Sequence, residues 1–186
     1  MKRRNIVKIF SILLIILSLS YFTYSSYKTI NLKKIQTEEI NIFFKNYNNS
    51  GNKVNHEVSE YLMVLEIPKL NLKYGVYDIY DERNNINLNV TILKESILPD
   101  KENSLILLAA HSGNSLVSYF KNLYNLKYND KIYIYYEKEK YTYEVDNIYI
   151  QSKSLDFSLP KTTNKKLILI TCMNNSEYLI IEARQK

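Results

Sequence analysis

The chain has 186 residues, room for one domain of ordinary size once a targeting segment is set aside, and not for a second large catalytic domain. Charged residues make up 24% and the hydrophobic set 46%, which excludes both wholesale disorder and a polytopic membrane bundle. Four charges of the formal +6 belong to Lys2, Arg3, Arg4 and Lys8, so the body carries only +2 and offers no dense basic stripe for nucleic acid.

From Ile9 to Tyr27 no formally charged residue occurs, and at 1.5 Å per residue that is about 28 Å of helix, close to the thickness of a hydrocarbon core. Residues 1–27 therefore read as a basic flank and one span in the lipid bilayer. The flank predicts a cytoplasmic N-terminus and an extracellular remainder, with Tyr21, Phe22, Tyr24 and Tyr27 as an outer aromatic belt. A cleaved signal peptide would need a small-residue exit, whereas the exit is Ser-Tyr-Phe-Thr-Tyr-Ser-Ser-Tyr and no alanine precedes Ala109. Residues 28–60 read as a juxtamembrane stalk: Ile30, Ile35, Ile40, Phe43 and Phe44 suit a helix, and Asn-Asn-Ser-Gly-Asn at 48–52 breaks it.

The folded domain is expected over residues 61–186. Short β-branched and aromatic runs predict strands at 61–67, 72–78, 105–110, 131–136, 141–150, 167–171 and 178–183. Glycines stand alone at Gly51, Gly75 and Gly113, so no Gly-rich phosphate loop exists and Asn and Asp must form most tight turns. Glu-Lys-Glu-Lys at 137–140 reads as the charged turn of a hairpin. Leu116, Phe120, Leu123 and Leu126 have the spacing of a one-sided helix over 115–126, and 82–98 is ambiguous. The fold class is all-β, a small barrel or sandwich.

Cys172, the single cysteine, excludes an internal disulfide and a cysteine zinc cluster. It follows the apolar run Leu167-Ile-Leu-Ile-Thr171, and His111 likewise follows Leu105-Ile-Leu-Leu-Ala-Ala110. If those two strands are neighbours, thiol and imidazole flank one groove, the pairing that acyl transfer through a thiolate requires. The bland alternative is a buried thiol and a surface imidazole. His56 falls in the stalk and is expected to be inert.

At these residues the chain resembles the sortases, membrane-anchored cysteine transpeptidases of Gram-positive bacteria. Leu167-Ile-Leu-Ile-Thr-Cys172 is similar to the strand that ends in the family's cysteine, and Asn103-Ser-Leu-Ile-Leu-Leu-Ala-Ala-His111 to the strand that delivers its histidine. Phe120, Leu123, Leu126, Asp130 and Ile132 resemble the helix and turn between them, with Asn129 in place of the usual Gly, and Leu65-Glu-Ile-Pro68 the first barrel strand. The resemblance covers about residues 61–184. The sixty-one residues from His111 to Cys172 fit class D or a compact class A-like form better than class B.

The resemblance implies an eight-stranded β-barrel with one or two short helices. It implies cleavage of a Leu-Pro-x-Thr-Gly-like sorting signal on a surface protein through a Cys172 thioacyl intermediate, with His111 protonating the leaving amine. An amine from a peptidoglycan precursor or a pilin lysine would then take the acyl group. Thr171 and Tyr178 would stand on the oxyanion and substrate side. No metal or other cofactor enters the chemistry; some relatives bind calcium to order a loop, and this sequence has no clear acidic cluster for it. Alternatives on the same scaffold are a hydrolytic cysteine peptidase and an impaired, anchored binding module.

One departure concerns the arginine that relatives carry at the start of the last strand. Aligning Leu179-Ile-Ile-x-Ala183 with that strand puts Tyr178 at the arginine position. Arg184 lies about 20 Å further along at 3.3 Å per residue, and Arg83 is a remote candidate in an uncertain loop. Either Tyr178 donates its hydroxyl, or the oxyanion relies on backbone N–H groups, or catalysis is impaired.

Overall fold

The computed structural model describes residues 2–48, 59–113, 117–155 and 164–186. His56 and the Leu116 end of the expected helix lie outside them. Among the described residues one α-helix, α1, runs Lys2–Asn48. The chain divides into two compact units, one up to Glu38 and one from Glu39 onwards. In the first, every apolar side chain given for Val7 to Leu19 is exposed, a surface that water disfavours and lipid does not. The hydroxyls of Ser11, Ser18 and Thr23 donate back to the carbonyls of Val7, Ile15 and Ser20, so these polar groups are satisfied within the helix. This helix is long and apolar enough to cross a membrane.

The second unit is a β structure of eight strands: β1 Met63–Ile67, β2 Leu72–Val76, β3 Thr91–Ile92, β4 Leu105–Ala109, β5 Lys131–Tyr136, β6 Glu139–Ser152, β7 Lys166–Cys172 and β8 Glu177–Gln185. Their order is β2-β1-β5-β6-β8-β7-β4-β3, rolled into a nearly closed barrel. Seven strands fall where alternation and β-branching place them. The eighth, β3, lies in the stretch that the pattern left ambiguous, because two residues carry no period. The interior is filled by alternate side chains, among them Met63, Leu65 and Ile67 of β1, Ile132 and Ile134 of β5, and Leu167 and Leu169 of β7.

β5 and β6 form the expected hairpin, with Tyr136 opposite Glu139. Its two central residues, Glu137 and Lys138, both have positive φ (50° and 83°), as a two-residue turn between right-twisted strands requires. Asn129, where a glycine is usual in relatives, also takes a positive φ of 67°, which asparagine tolerates better than most residues. β6 is longer than expected, since a register shift between Val145 and Asn147 lets one strand serve β5 and then continue along β8.

The helix expected over 115–126 is not formed among the described residues. Turns lead instead to one 3-10 turn, Leu123–Asn125. Phe120, Leu123 and Leu126 are buried nonetheless, because a step of three residues suits a 3-10 turn as well as a helix. At the other side, residues 40–47 of α1 belong to the β unit. Ile40 and Phe43 pack with Tyr61 and Val64 on the outer face of β1, and Phe44 meets the Tyr135 ring edge-on at 4.8 Å.

Candidate functional site

β4 and β7 are parallel neighbours, and their sequences are continuous apolar runs because both faces are covered. One face lines the main core. The other carries Leu105, Leu107, Ala109, Ile168 and Ile170, which with Ile180 of β8 form a second apolar cluster against Leu93, Tyr149 and Tyr178. Ladder partners run from Leu105↔Lys166 to Ala109↔Ile170. Two residues beyond that last pair come His111 on one chain segment and Cys172 on the other. By the two-residue period both side chains stand on the second cluster's face, at the strand ends where it meets solvent.

Three hydrogen bonds lock these ends together. The Ala110 N–H donates to the Ile170 carbonyl at 3.2 Å, the Thr171 hydroxyl to the Ala110 carbonyl at 2.7 Å, and the Ser112 hydroxyl to the Cys172 carbonyl. Thr171 is 4% exposed, and its hydroxyl proton is directed to the neighbouring strand, away from the face that holds the thiol. Its side chain thus links the two strand ends. Cys172 is half-buried.

Tyr178 is the direct cross-strand partner of Cys172 in the β7–β8 ladder, the position assigned to it by alignment. Arg184 pairs with Lys166 at the opposite end of β7, and its Nε lies 3.9 Å from Asp146. Arg83 is held by Asp81 at 2.7 Å and by Glu60, with its guanidinium 4.3 Å over the Tyr77 ring. Neither arginine serves the thiol.

Two residues at the site were not anticipated. Asn87 Oδ1 accepts from His111 Nε2 at 3.3 Å. Its loop is built by side-chain amides and carboxylates that replace backbone partners: Asp78 and Asp81 cap their own turns, and Asn84 bonds Ile92 through both its carbonyl and its amide. Lys153, directly after β6, places Nζ 3.4 Å from Cys172 Sγ, 3.0 Å from the Asn174 carbonyl and 5.0 Å over the Tyr178 ring. The only sequence signal for Lys153 is its charge near a strand end, and the sequence pattern ends that strand at residue 150. Among the described residues no group of three or more His, Cys, Asp or Glu side chains is arranged to hold a metal ion.

A concavity of about 460 Å³ is lined by Phe43, Tyr47, Tyr61 and Lys138. It lies at the tail of α1 and contains neither His111 nor Cys172.

Residues 65–186 match the family described as Sortase domain. A lid mutant of sortase A from Corynebacterium diphtheriae is similar in fold at a TM-score of 0.60 and 26% identity, over 67% of this chain and 69% of that one. Sortase C-1 from Actinomyces oris reaches 0.63 at 23% identity, over 81% and 96% of the two chains. Sortase C from Streptococcus pneumoniae, described in terms of catalysis and pilin substrate specificity, reaches 0.60 at 23%, over 70% of each. A search of curated proteins finds no match.

Proposed function

Because this chain belongs to the sortase family of cysteine transpeptidases, we propose that Cys172 is its nucleophile and His111 the acid that protonates the leaving amine. The observation that supports this assignment is the parallel β4–β7 register, whose last pair, Ala109↔Ile170, lies two residues before His111 on one strand and two before Cys172 on the other. A rigid sheet holds them there, so little reorganisation is needed when a peptide arrives. Thr171 serves as the clamp that keeps the two strand ends in register, and Tyr178 forms the wall across from the thiol.

The substrate is a surface protein bearing a Leu-Pro-x-Thr-Gly-like sorting signal. Cys172 attacks the Thr carbonyl, the Gly amine leaves with a proton from His111, and an amine from a peptidoglycan precursor or a pilin lysine resolves the thioester. The apolar part of α1 anchors the enzyme, with its basic end in the cytoplasm and the barrel outside the cell. Domain boundaries follow as an anchor to about residue 27, a connecting segment, and the catalytic barrel.

The test is incubation of the full-length chain in detergent micelles with a Leu-Pro-x-Thr-Gly peptide and increasing triglycine, followed by mass analysis. Expected is a peptide cut after Thr and joined to triglycine, absent in Cys172→Ala. Hydrolysed peptide alone at every triglycine concentration would overturn transpeptidation in favour of hydrolysis. No turnover, together with no Cys172 adduct from a thiol-reactive peptide, would favour the binding module.

A further inference from the structure

The family position expected to hold an arginine carries Tyr178, and both arginines of the described barrel are engaged elsewhere. The cation at the site comes from a different strand. Lys153 follows β6, and its backbone N–H donates to the Ser176 carbonyl at 2.8 Å, which extends the β6–β8 ladder by one step beyond Ser152↔Glu177. The residue is therefore fixed at a sheet edge, and its side chain needs only to lie across β8 to reach β7. The Tyr178 ring supports the ammonium from below at 5.0 Å, and the Asn174 carbonyl accepts one N–H at 3.0 Å.

We propose that Lys153 is a catalytic residue: its ammonium holds the oxyanion that forms when Cys172 attacks a carbonyl. This assignment rests on Cys172 being the nucleophile. An ammonium has three N–H donors. Among the described residues one points to the Asn174 carbonyl and one to Cys172 Sγ, 3.4 Å away, and no carboxylate forms an ion pair with Lys153. When Sγ bonds to the carbonyl carbon, the π pair moves to the carbonyl oxygen, and that oxygen is held next to the sulfur by the new bond. Nζ, already touching the sulfur, meets the new charge with its remaining N–H or with the one the sulfur relinquishes. No proton is transferred from Lys153. The oxyanion collapses, the C–N bond breaks, and the leaving amine takes its proton from His111.

Tyr178 then has a different part from the one its alignment suggested. It supports the cation with its ring and is not itself the donor.

Two small reagents separate this role from a general effect on the thiol. p-Nitrophenyl acetate acylates Cys172 through a tetrahedral oxyanion, whereas iodoacetamide alkylates it by displacement with no oxyanion. With the full-length chain in detergent, Lys153→Met should lower the Cys172 acylation rate by about ten- to hundredfold, in line with loss of one oxyanion donor. It should lower alkylation by about threefold or less. Lys153→Arg should restore acylation to within about fivefold. Equal losses with both reagents would confine Lys153 to the sulfur and overturn the oxyanion role. Acylation unchanged in a Lys153→Met protein would remove Lys153 alone, while a wild-type thiol inert to both reagents would remove the nucleophile assignment and Lys153 with it.

Discussion

His111 is held by a loop whose shape is written in asparagines and aspartates, and this makes Asn87 a test of how the imidazole is oriented. Its Oδ1 lies within hydrogen-bond reach of Nε2, so in the proposed mechanism the other ring nitrogen is the one that faces the leaving amine. Asn87→Ala removes one exposed hydrogen bond, about 1 kcal/mol or roughly fivefold in rate. Peptide turnover should fall by about that factor with KM little changed, while iodoacetamide alkylation of Cys172 stays at its wild-type rate. Turnover equal to wild type would show that the imidazole is positioned without Asn87. The contrast with Thr171 is instructive, since residues 111 and 172 face one way and 110 and 171 the other. Neighbours in sequence are therefore sent to opposite faces by the pleat alone.

Between elements, β2 fits tightly against Tyr61, two residues before β1. Gly75 lies opposite Val64, and a Cβ built on it would stand 2.2 Å from the ring of Tyr61. Its φ is not in the left-handed region, so the requirement is for space and not for backbone freedom. Tyr61 in turn packs on Tyr77 at 4.8 Å and belongs to the cluster that seats Phe43 and Ile40 of α1. Gly75→Ala must displace that ring, and we expect a loss of about 1–3 kcal/mol, the usual range for overpacking. A urea denaturation midpoint unchanged from wild type would show that Tyr61 moves aside freely.

Of the chain's 18 tyrosines 14 lie from Tyr61 onwards, and those buried in the barrel set an alkaline limit on stability. Burial first, then neighbouring Glu182, pushes the Tyr149 phenol up to about 12; burial and Glu137 do the same for Tyr136. Burial also raises Tyr61, Tyr135 and Tyr143. In the unfolded chain these phenols ionise near pH 10. Above that pH the unfolded state binds fewer protons than the folded one, so stability must fall as pH rises. Their contribution is complete below about pH 10 and drains away towards pH 12. The urea midpoint of the full-length chain should be level from pH 8 to 9 and fall between pH 10 and 11.5. A level midpoint to pH 11.5 would mean that the buried phenols ionise without disturbing the fold.

The apolar runs before His111 and Cys172, the charge-free stretch behind four basic residues and the alternation in seven strands are local patterns, and each follows from a period or a composition within a few residues. They were enough for the β class, the helix long enough to span a bilayer, and the two side chains to watch. Pairing was not legible, because nothing within β4 or β7 states that they are parallel neighbours. Only that register brings together the strands that lead to a histidine and a cysteine sixty-one residues apart. The same limit hid Lys153. Its distance from Cys172 is fixed by β6 continuing past its register shift to lie along β8, a property of the closed sheet and of no segment alone. Alignment along a single strand could place Tyr178 but not the cation above it, since a strand's sequence orders residues in one dimension and a site draws on three strands side by side.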